Sequence, residues 1–315
     1  MRWSWPSLMV AVVVWAILPM IVPRGTADLL VFTGIYSVAG LGIGLLLGHC
    51  GIVNLAQATF YGIGAYASAY CTVSMGLPAP AGFVVGAVLS MALAYVIGRP
   101  VLRLTGYFLA LGTLALSAIA SALFFEWDWL TGGTLGIGGI PKIELFGFAL
   151  DQPARYYYFV WIVAFACMIV ARNLVDSRTG LMLRAMRDSS TAAASLTVDI
   201  QSLRTRVFVV CALFGSIAGS LFAHHASFVS TQSFTVERSI TFLLIPVIGG
   251  ATSIPGIVIG ALFVTFLPEL LSKLGDFHQI LFGLALVAVV VALPNGLAGA
   301  LGNLASRIST RRSRS

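Results

Sequence analysis

Ten stretches of this chain stay apolar for about as long as a helix needs to cross a bilayer. They fall at about 8–23, 28–47, 57–75, 81–98, 107–126, 157–175, 207–226, 239–250, 255–271 and 277–294. A straight crossing takes about 20 residues, with about 17 the usual minimum. A soluble core could not take in that much apolar surface. Only 9% of the 315 residues are charged, against about 25% in an ordinary soluble domain. The expected fold is an all-α membrane protein, a polytopic helical bundle of about ten spans. The run 239–250 has only 12 residues, roughly 18 Å of helix. It makes the count ten if it crosses as a short or broken span held among other helices, and nine if it does not.

The N-terminal stretch MRWSWPSLMVAVVVWAILPMIV has one Arg ahead of an apolar core, like a signal peptide. No small-x-small cleavage site follows and Pro23-Arg24 interrupts, so an uncleaved first span is expected. With ten spans and the N-terminus inside, the inner segments hold Arg2, Arg99, Arg103, Arg172, Arg178, Arg184, Arg187, Arg204, Arg206, Arg307, Arg311, Arg312 and Arg314. The outer ones hold Arg24, Lys142, Arg155, Arg238 and Lys273, so 13 of the 18 cations lie inside. Positive-inside bias then puts both termini in the cytoplasm. Residues 1–306 read as one transmembrane domain and 307–315 as a basic tail, either a topology signal or a lipid contact. The net charge of +7 is spent on these loops and the tail, and no nucleic-acid partner is expected. Cys50, Cys71, Cys167 and Cys211 lie in or beside apolar runs without CxxC spacing. They read as small buried hydrophobes, not as a disulfide framework or a zinc site.

Two loops are long. The outer one, about 127–156, contains TGGTLGIGGIPKIELFG, where glycines break regular structure and Pro141 sets a turn. The inner one, about 172–206, carries LMLRAMRDSSTAAASL, which has good helix formers. Leu181, Ala185, Ala192 and Leu196 can form an apolar stripe, and Arg184 can pair with Asp188 four residues on. A positive loop that only sets topology needs the charges. It does not need an amphipathic helix, which suits docking of a cytoplasmic partner.

RTGLMLRAMRDSSTAAASLTVDIQSLRTRVFVVCALFGSIAGSLFA resembles the coupling region of permeases in ABC importers for branched-chain amino acids, the LivM-type subunit most closely. Gly180, Arg184, Arg187, Ala192, Ala193, Ala218, Gly219 and Leu221 match its pattern. Thr197 stands where that family usually has Gly, and Asp188-Ser189-Ser190 where it has an acid-Asn-Glu type run. GIGLLLGHCGIVNLAQATFYGIGAYASA, TGGTLGIGGIP followed by YYYFV, and VIGGATSIPGIVIGALFVTFLPELL are similar to further family signatures, in the same order, across about residues 35–295. The resemblance implies a type II ABC importer permease in a bacterial inner membrane. It implies cytoplasmic ATP-binding subunits, a second homologous permease, an extracytoplasmic solute-binding protein and a small-molecule substrate. Gly180, Arg184, Ala185, Arg187, Asp188, Ala192 and Ala193 would then contact the ATPase. Leucine, isoleucine and valine are the family's usual cargo; relatives also move urea and short amides, and the sequence does not choose. No G-x-x-x-x-G-K-[ST] is present, so ATP would be hydrolysed on another chain. No bound cofactor or metal is expected.

Polar residues inside apolar spans are the first candidates for a translocation path. His49, Asn54, Gln57 and Thr59 cluster at the join of the second and third runs, and Gln232 follows the seventh. Each could instead cap a helix or bond between spans. LAQATF (55–60) and VSTQSF (229–234) hold similar places in the two halves, one at an inner join and one at an outer join. An inverted repeat would produce that arrangement. Adjacent His224 and His225 point different ways on a helix and have no third ligand nearby. Glu269, after Pro268, reads as an interfacial cap. A self-sufficient carrier would want buried acid–base pairs, and a membrane enzyme a clustered catalytic set. Neither is visible in the sequence.

Overall fold

The computed structural model describes Pro19 and residues 22–145, 148–149, 151–189, 199–272, 278–293 and 296–300. Most of the expected first span, the tail, and Ala192 and Ala193 lie outside these. Helix α1 (Arg24–Gly44) runs on through a π-helical turn at Leu45–Cys50. Then come α2 (Gln57–Val73), α3 (Ala79–Val101), α4 (Tyr107–Glu126) and α5 (Pro153–Asp176). A short α6 (Arg178–Asp188) precedes α7 (Ile200–Ala226). Helices α8 (Val236–Gly249), α9 (Ile254–Ser272) and α10 (His278–Ala292) follow. The protein is an all-α membrane bundle. Six of its described helices are long and apolar enough to cross a membrane, α1, α3, α4, α5, α7 and α9. Helices α2, α8 and α10 coincide with three of the four remaining apolar runs but have 17, 14 and 15 residues.

Burial separates centre from rim. The apolar window of α1 is 83% buried and that of α7 72%, against 28–33% for α3, α4, α5 and α9. A helix apolar all round belongs in the middle of a membrane bundle, and one buried on a single side belongs at its edge. The rim helices turn Val84, Val88 and Val96 of α3, Ile162 and Ile169 of α5, and Ile280, Leu284, Val287 and Val291 of α10 outward. That is the surface lipid tails require.

Between helices in lipid no hydrophobic drive acts, so contact depends on close backbone approach at small residues. A Cβ on Gly219 of α7 would run into the Tyr61 carbonyl of α2, and one on Gly64 of α2 into the Ser216 carbonyl of α7. Gly86 brings α3 onto the same spot, with its Cβ position 3.1 Å from the Gly64 Cα. Helices α2, α3 and α7 are therefore stitched at one level by glycine and serine.

The two ends of the bundle differ. At one end β1 (Ile137–Gly138) pairs antiparallel with β4 (Phe228–Val229), Ile137 opposite Val229. Between them in sequence, β2 (Glu144–Leu145) pairs with β3 (Phe148–Ala149). Gly132 makes the loop possible: at φ 72° its Cβ position is filled by the Gly136 carbonyl. At the other end lies α6, after a tight turn in which Ser177 Oγ accepts from the Gly180 N–H at 3.4 Å and donates to the Leu174 carbonyl at 2.6 Å.

Candidate translocation and coupling site

Two helices begin inside the bundle. After the π-helical turn the chain reverses at Gly51, φ 67°, and runs without regular structure over 51–56 before α2 starts at Gln57. Gln57 Nε2 donates to the Ala39 carbonyl at 3.1 Å and the Cys211 carbonyl at 3.3 Å. Those groups lie near the middle of α1 and α7, so α2 starts at mid-depth. Helix α8 enters from the strand end, through a 3₁₀ turn at Thr231–Phe234. Its Ser239 reaches the first turn of α2.

A helix start inside a membrane exposes N–H groups that no water can satisfy. Side chains meet that need here. Asn54 Oδ1 accepts from the Ala56 N–H at 2.9 Å, Thr113 Oγ1 from Leu55 at 3.1 Å, and Ser239 Oγ from Ala58 at 2.9 Å. Cys211 Sγ donates to Gln57 Oε1 at 3.0 Å and accepts from Asn54 Nδ2 at 3.4 Å. On α4, Thr113, Ser117 and Ser121 stand at i, i+4 and i+8 and form one hydroxyl stripe. Ser117 Oγ lies 3.1 Å from Ser239 Oγ, and Ser121 Oγ donates to the Phe234 carbonyl at 2.8 Å. The stripe holds an otherwise loosely packed α4 against both interrupted segments.

The candidate path residues separate into two groups. His49, Asn54, Gln57 and Thr59 are buried. Asn54 and Gln57 are tied into the junction, while His49 Nδ1 and Thr59 Oγ1 have no hydrogen-bond partner among the described residues. Gln232 is exposed, in the 3₁₀ turn. LAQATF lies across the start of α2, and VSTQSF lies in β4 and the 3₁₀ turn ahead of α8. Sequence reasoning missed Thr113, Ser117, Ser121, Ser239 and Cys211. The four-residue period in TLALSAIAS was the available signal. Gln57→Leu is expected to remove the Nε2 bonds to the Ala39 and Cys211 carbonyls, which keep their intrahelical donors, and to leave the buried Cys211 thiol without its acceptor, at about 1–3 kcal/mol. Its detergent melting temperature should fall, and that of Gln232→Ala should match wild type.

Helix α6 buries Gly180, Leu183 and Met186, while Leu181 and Met182 are 60% and 43% exposed. Ala185 and Arg184 are also exposed. The expected stripe of Leu181 and Ala185 thus faces away from the bundle, and the inward face is Leu183 and Met186. Arg184 and Asp188 do not pair; among the described residues Arg172 pairs with Asp176, and the His225 ring lies 3.8 Å from the Asp28 carboxylate. Both partners of the expected pair are exposed, where such a pair stabilises little. Arg187 turns inward to the Gly48 carbonyl.

At the strand end, Lys142 Nζ donates to the His225 carbonyl at 2.6 Å and the His224 carbonyl at 3.3 Å. Burial pushes the Lys142 ammonium below its ordinary pKa, and the Asp28 carboxylate partly offsets this. His224 lies 2.8 Å from the Pro141 carbonyl and 2.9 Å from Ser68 Oγ. The histidine pair therefore fastens the loop and α2 to the end of α7.

The arrangement is that of a transport protein: a bundle with two interrupted helices meeting at mid-depth and a polar short helix at one end. A family model described as branched-chain amino acid transport system / permease component matches residues 25–291. The chain is 30% identical over 314 residues to the Escherichia coli K12 high-affinity branched-chain amino acid transport system permease protein LivM, covering 92% of this chain and 73% of that one. It is 24% identical over 283 residues to LivH of the same organism, covering 84% and 91%. It is 25% identical over 301 residues to the autoinducer 2 import system permease protein LsrC of E. coli O9:H4, covering 90% and 85%. No solved structure matches. The chain belongs to the family of permease components of branched-chain amino acid transport systems.

Proposed function

We propose that this permease subunit forms, with a second homologous permease, the membrane path of an importer for branched-chain amino acids. ATP is hydrolysed on separate cytoplasmic subunits, and an extracytoplasmic binding protein delivers the solute to the strand end. The observation that carries this is α6: its polar surface keeps Leu181 and Met182 exposed, as a docking helix requires. The end bearing α6 is the cytoplasmic one, because Arg99, Arg103, Arg172, Arg178, Arg184, Arg187, Arg204 and Arg206 all lie there. Ten crossings with both termini inside fit that orientation, counting the run 8–23 and the short α2, α8 and α10.

The solute crosses where α2 and α8 begin, because interrupted helices near mid-depth are where transporters place their solute sites. Asn54, Gln57 and Thr59 are the path residues on the α2 side, with His49 below them. ATP-driven displacement of α6 shifts the junction between outward- and inward-open states. The names of LivM and LivH support branched-chain cargo. LsrC, named for autoinducer 2, keeps other small polar solutes, urea and amides among them, as the second reading. Labelled leucine uptake by the reconstituted complex separates them. The expected result is ATP-dependent uptake competed by excess isoleucine and valine. Uptake competed by urea and indifferent to valine would overturn the cargo assignment.

A further inference from the structure

Arg187 belongs to α6 and is exposed as a whole, yet its guanidinium reaches the bundle at one point. A terminal nitrogen donates to the Gly48 carbonyl, in the π-helical turn that ends α1. The Arg187 Cγ lies 3.4 Å from the Cβ position of Gly51. With Leu47 and the 250–253 turn, Arg187 lines a cavity of about 550 Å³ at this end of the bundle. Gly48 is held from its other side as well: a Cβ there would run into the Ala251 carbonyl, between α8 and α9. One peptide unit is thus gripped by α6 and by the α8–α9 turn.

The chemistry suits a tie. The last carbonyls of a helix lack intrahelical donors, and a cation there meets the negative end of the helix dipole. A π-helical turn is a local widening found where a helix must yield. Guanidinium is planar, permanently charged and rich in donors, so it can hold a carbonyl while its stem moves. The route from Gly48 to the junction is short. Residues 49–56 carry His49 and Asn54 and end at Gln57, where the mid-depth hydrogen bonds begin. Leu183 and Met186 keep the rest of α6 seated on the bundle.

We propose that Arg187 is a positioning residue that ties α6 to the interrupted α1–α2 connection, so that displacing α6 moves the Asn54–Gln57 junction and the α8–α9 turn together. Arg187 touches neither solute nor nucleotide in this role. It can act so only if α6 is the docking helix proposed above, and the test separates the two.

The test uses the full complex of permeases, ATPase subunits and binding protein in proteoliposomes. Arg187→Gln, Arg187→Lys and Leu181→Arg are compared by retained ATPase subunit and by solute carried per ATP hydrolysed. Arg187→Gln is expected to keep the ATPase subunit and hydrolyse ATP while solute per ATP falls about tenfold, the size of one charged hydrogen bond. Arg187→Lys, which keeps one donor within reach, should recover part of the ratio. An unchanged ratio in Arg187→Gln overturns the tie. So does loss of the ATPase subunit from Arg187→Gln, which would make Arg187 a contact residue. If Arg187→Gln gives no monodisperse permease, Arg187→Lys decides: a lowered ratio supports the tie and a wild-type ratio overturns it. Leu181→Arg that retains the ATPase subunit removes the docking role of α6 itself.

Discussion

Replacing Gly219 by valine is expected to cost the bundle about 3 kcal/mol or more, the upper end of overpacking penalties. The added Cβ would meet the Tyr61 carbonyl, and the next neighbours are the Tyr61 carbonyl carbon and the Ala65 nitrogen, 2.7 and 3.0 Å away. All three are backbone atoms, so no side chain can rotate aside, and α7 must separate from α2. Separation would also pull apart the Ser220 Oγ bond to the Gly64 carbonyl, 3.0 Å, and the Gln57 bonds to α7. The variant should lose monodisperse yield and melt well below wild type in detergent. Gly283 is the control. It lies within α10 with nothing within 4 Å of its Cβ position, and Gly283→Ala should be neutral or slightly stabilising. Equal melting of Gly219→Val and wild type would mean that the glycine seam does not set the distance between the central helices.

Leu181→Arg should leave that seam untouched and stop transport. Leu181 is 60% exposed and makes no part of the bundle core, so folding and insertion should proceed. A cation placed in an apolar contact with a partner commonly removes about 2 kcal/mol or more, about 30-fold in affinity. The ATPase subunit should then be lost during purification and uptake abolished. Ala193→Arg, beyond the end of α6 and outside the described residues, is expected to behave alike. Normal uptake by a well-expressed Leu181→Arg would reduce α6 to a segment that only orients the chain in the membrane.

Much of the scaffold is written in hydropathy. The run 107–126 coincides with α4, because apolar length and helix length are the same quantity for a span in lipid. Helix α7 extends from Ile200, seven residues before its apolar run. Its first two turns carry Arg204 and Arg206, and no hydropathy pattern can count charged turns that continue a helix into water. The π-helical turn was hidden for a related reason. Gly48 and His49 end the run 28–47, and nothing local says that the chain then re-enters the bundle without regular structure. The junction was half legible. Asn54 and Gln57 stand out as polar residues in an apolar setting, but segment 54–58 bonds to carbonyls and a thiol on α1 and α7 and to hydroxyls on α4 and α8, distant in sequence. On α6 the sequence offers two apolar faces in one short helix. Which of them faces the bundle depends on the neighbours, so Leu183 and Met186 could not be told from Leu181 and Ala185. The inward turn of Arg187 was invisible for the same reason.

The most direct measurement is mild-detergent purification of the tagged wild-type chain from its native membrane, identification of what accompanies it, and reconstitution of that assembly. The expected result is a complex with an ATPase subunit and a second permease that takes up solute only when ATP and binding protein are supplied. A chain that purifies alone and moves solute in proteoliposomes without ATP would contradict it. In that case α6 would be a topology element and the protein a self-sufficient carrier.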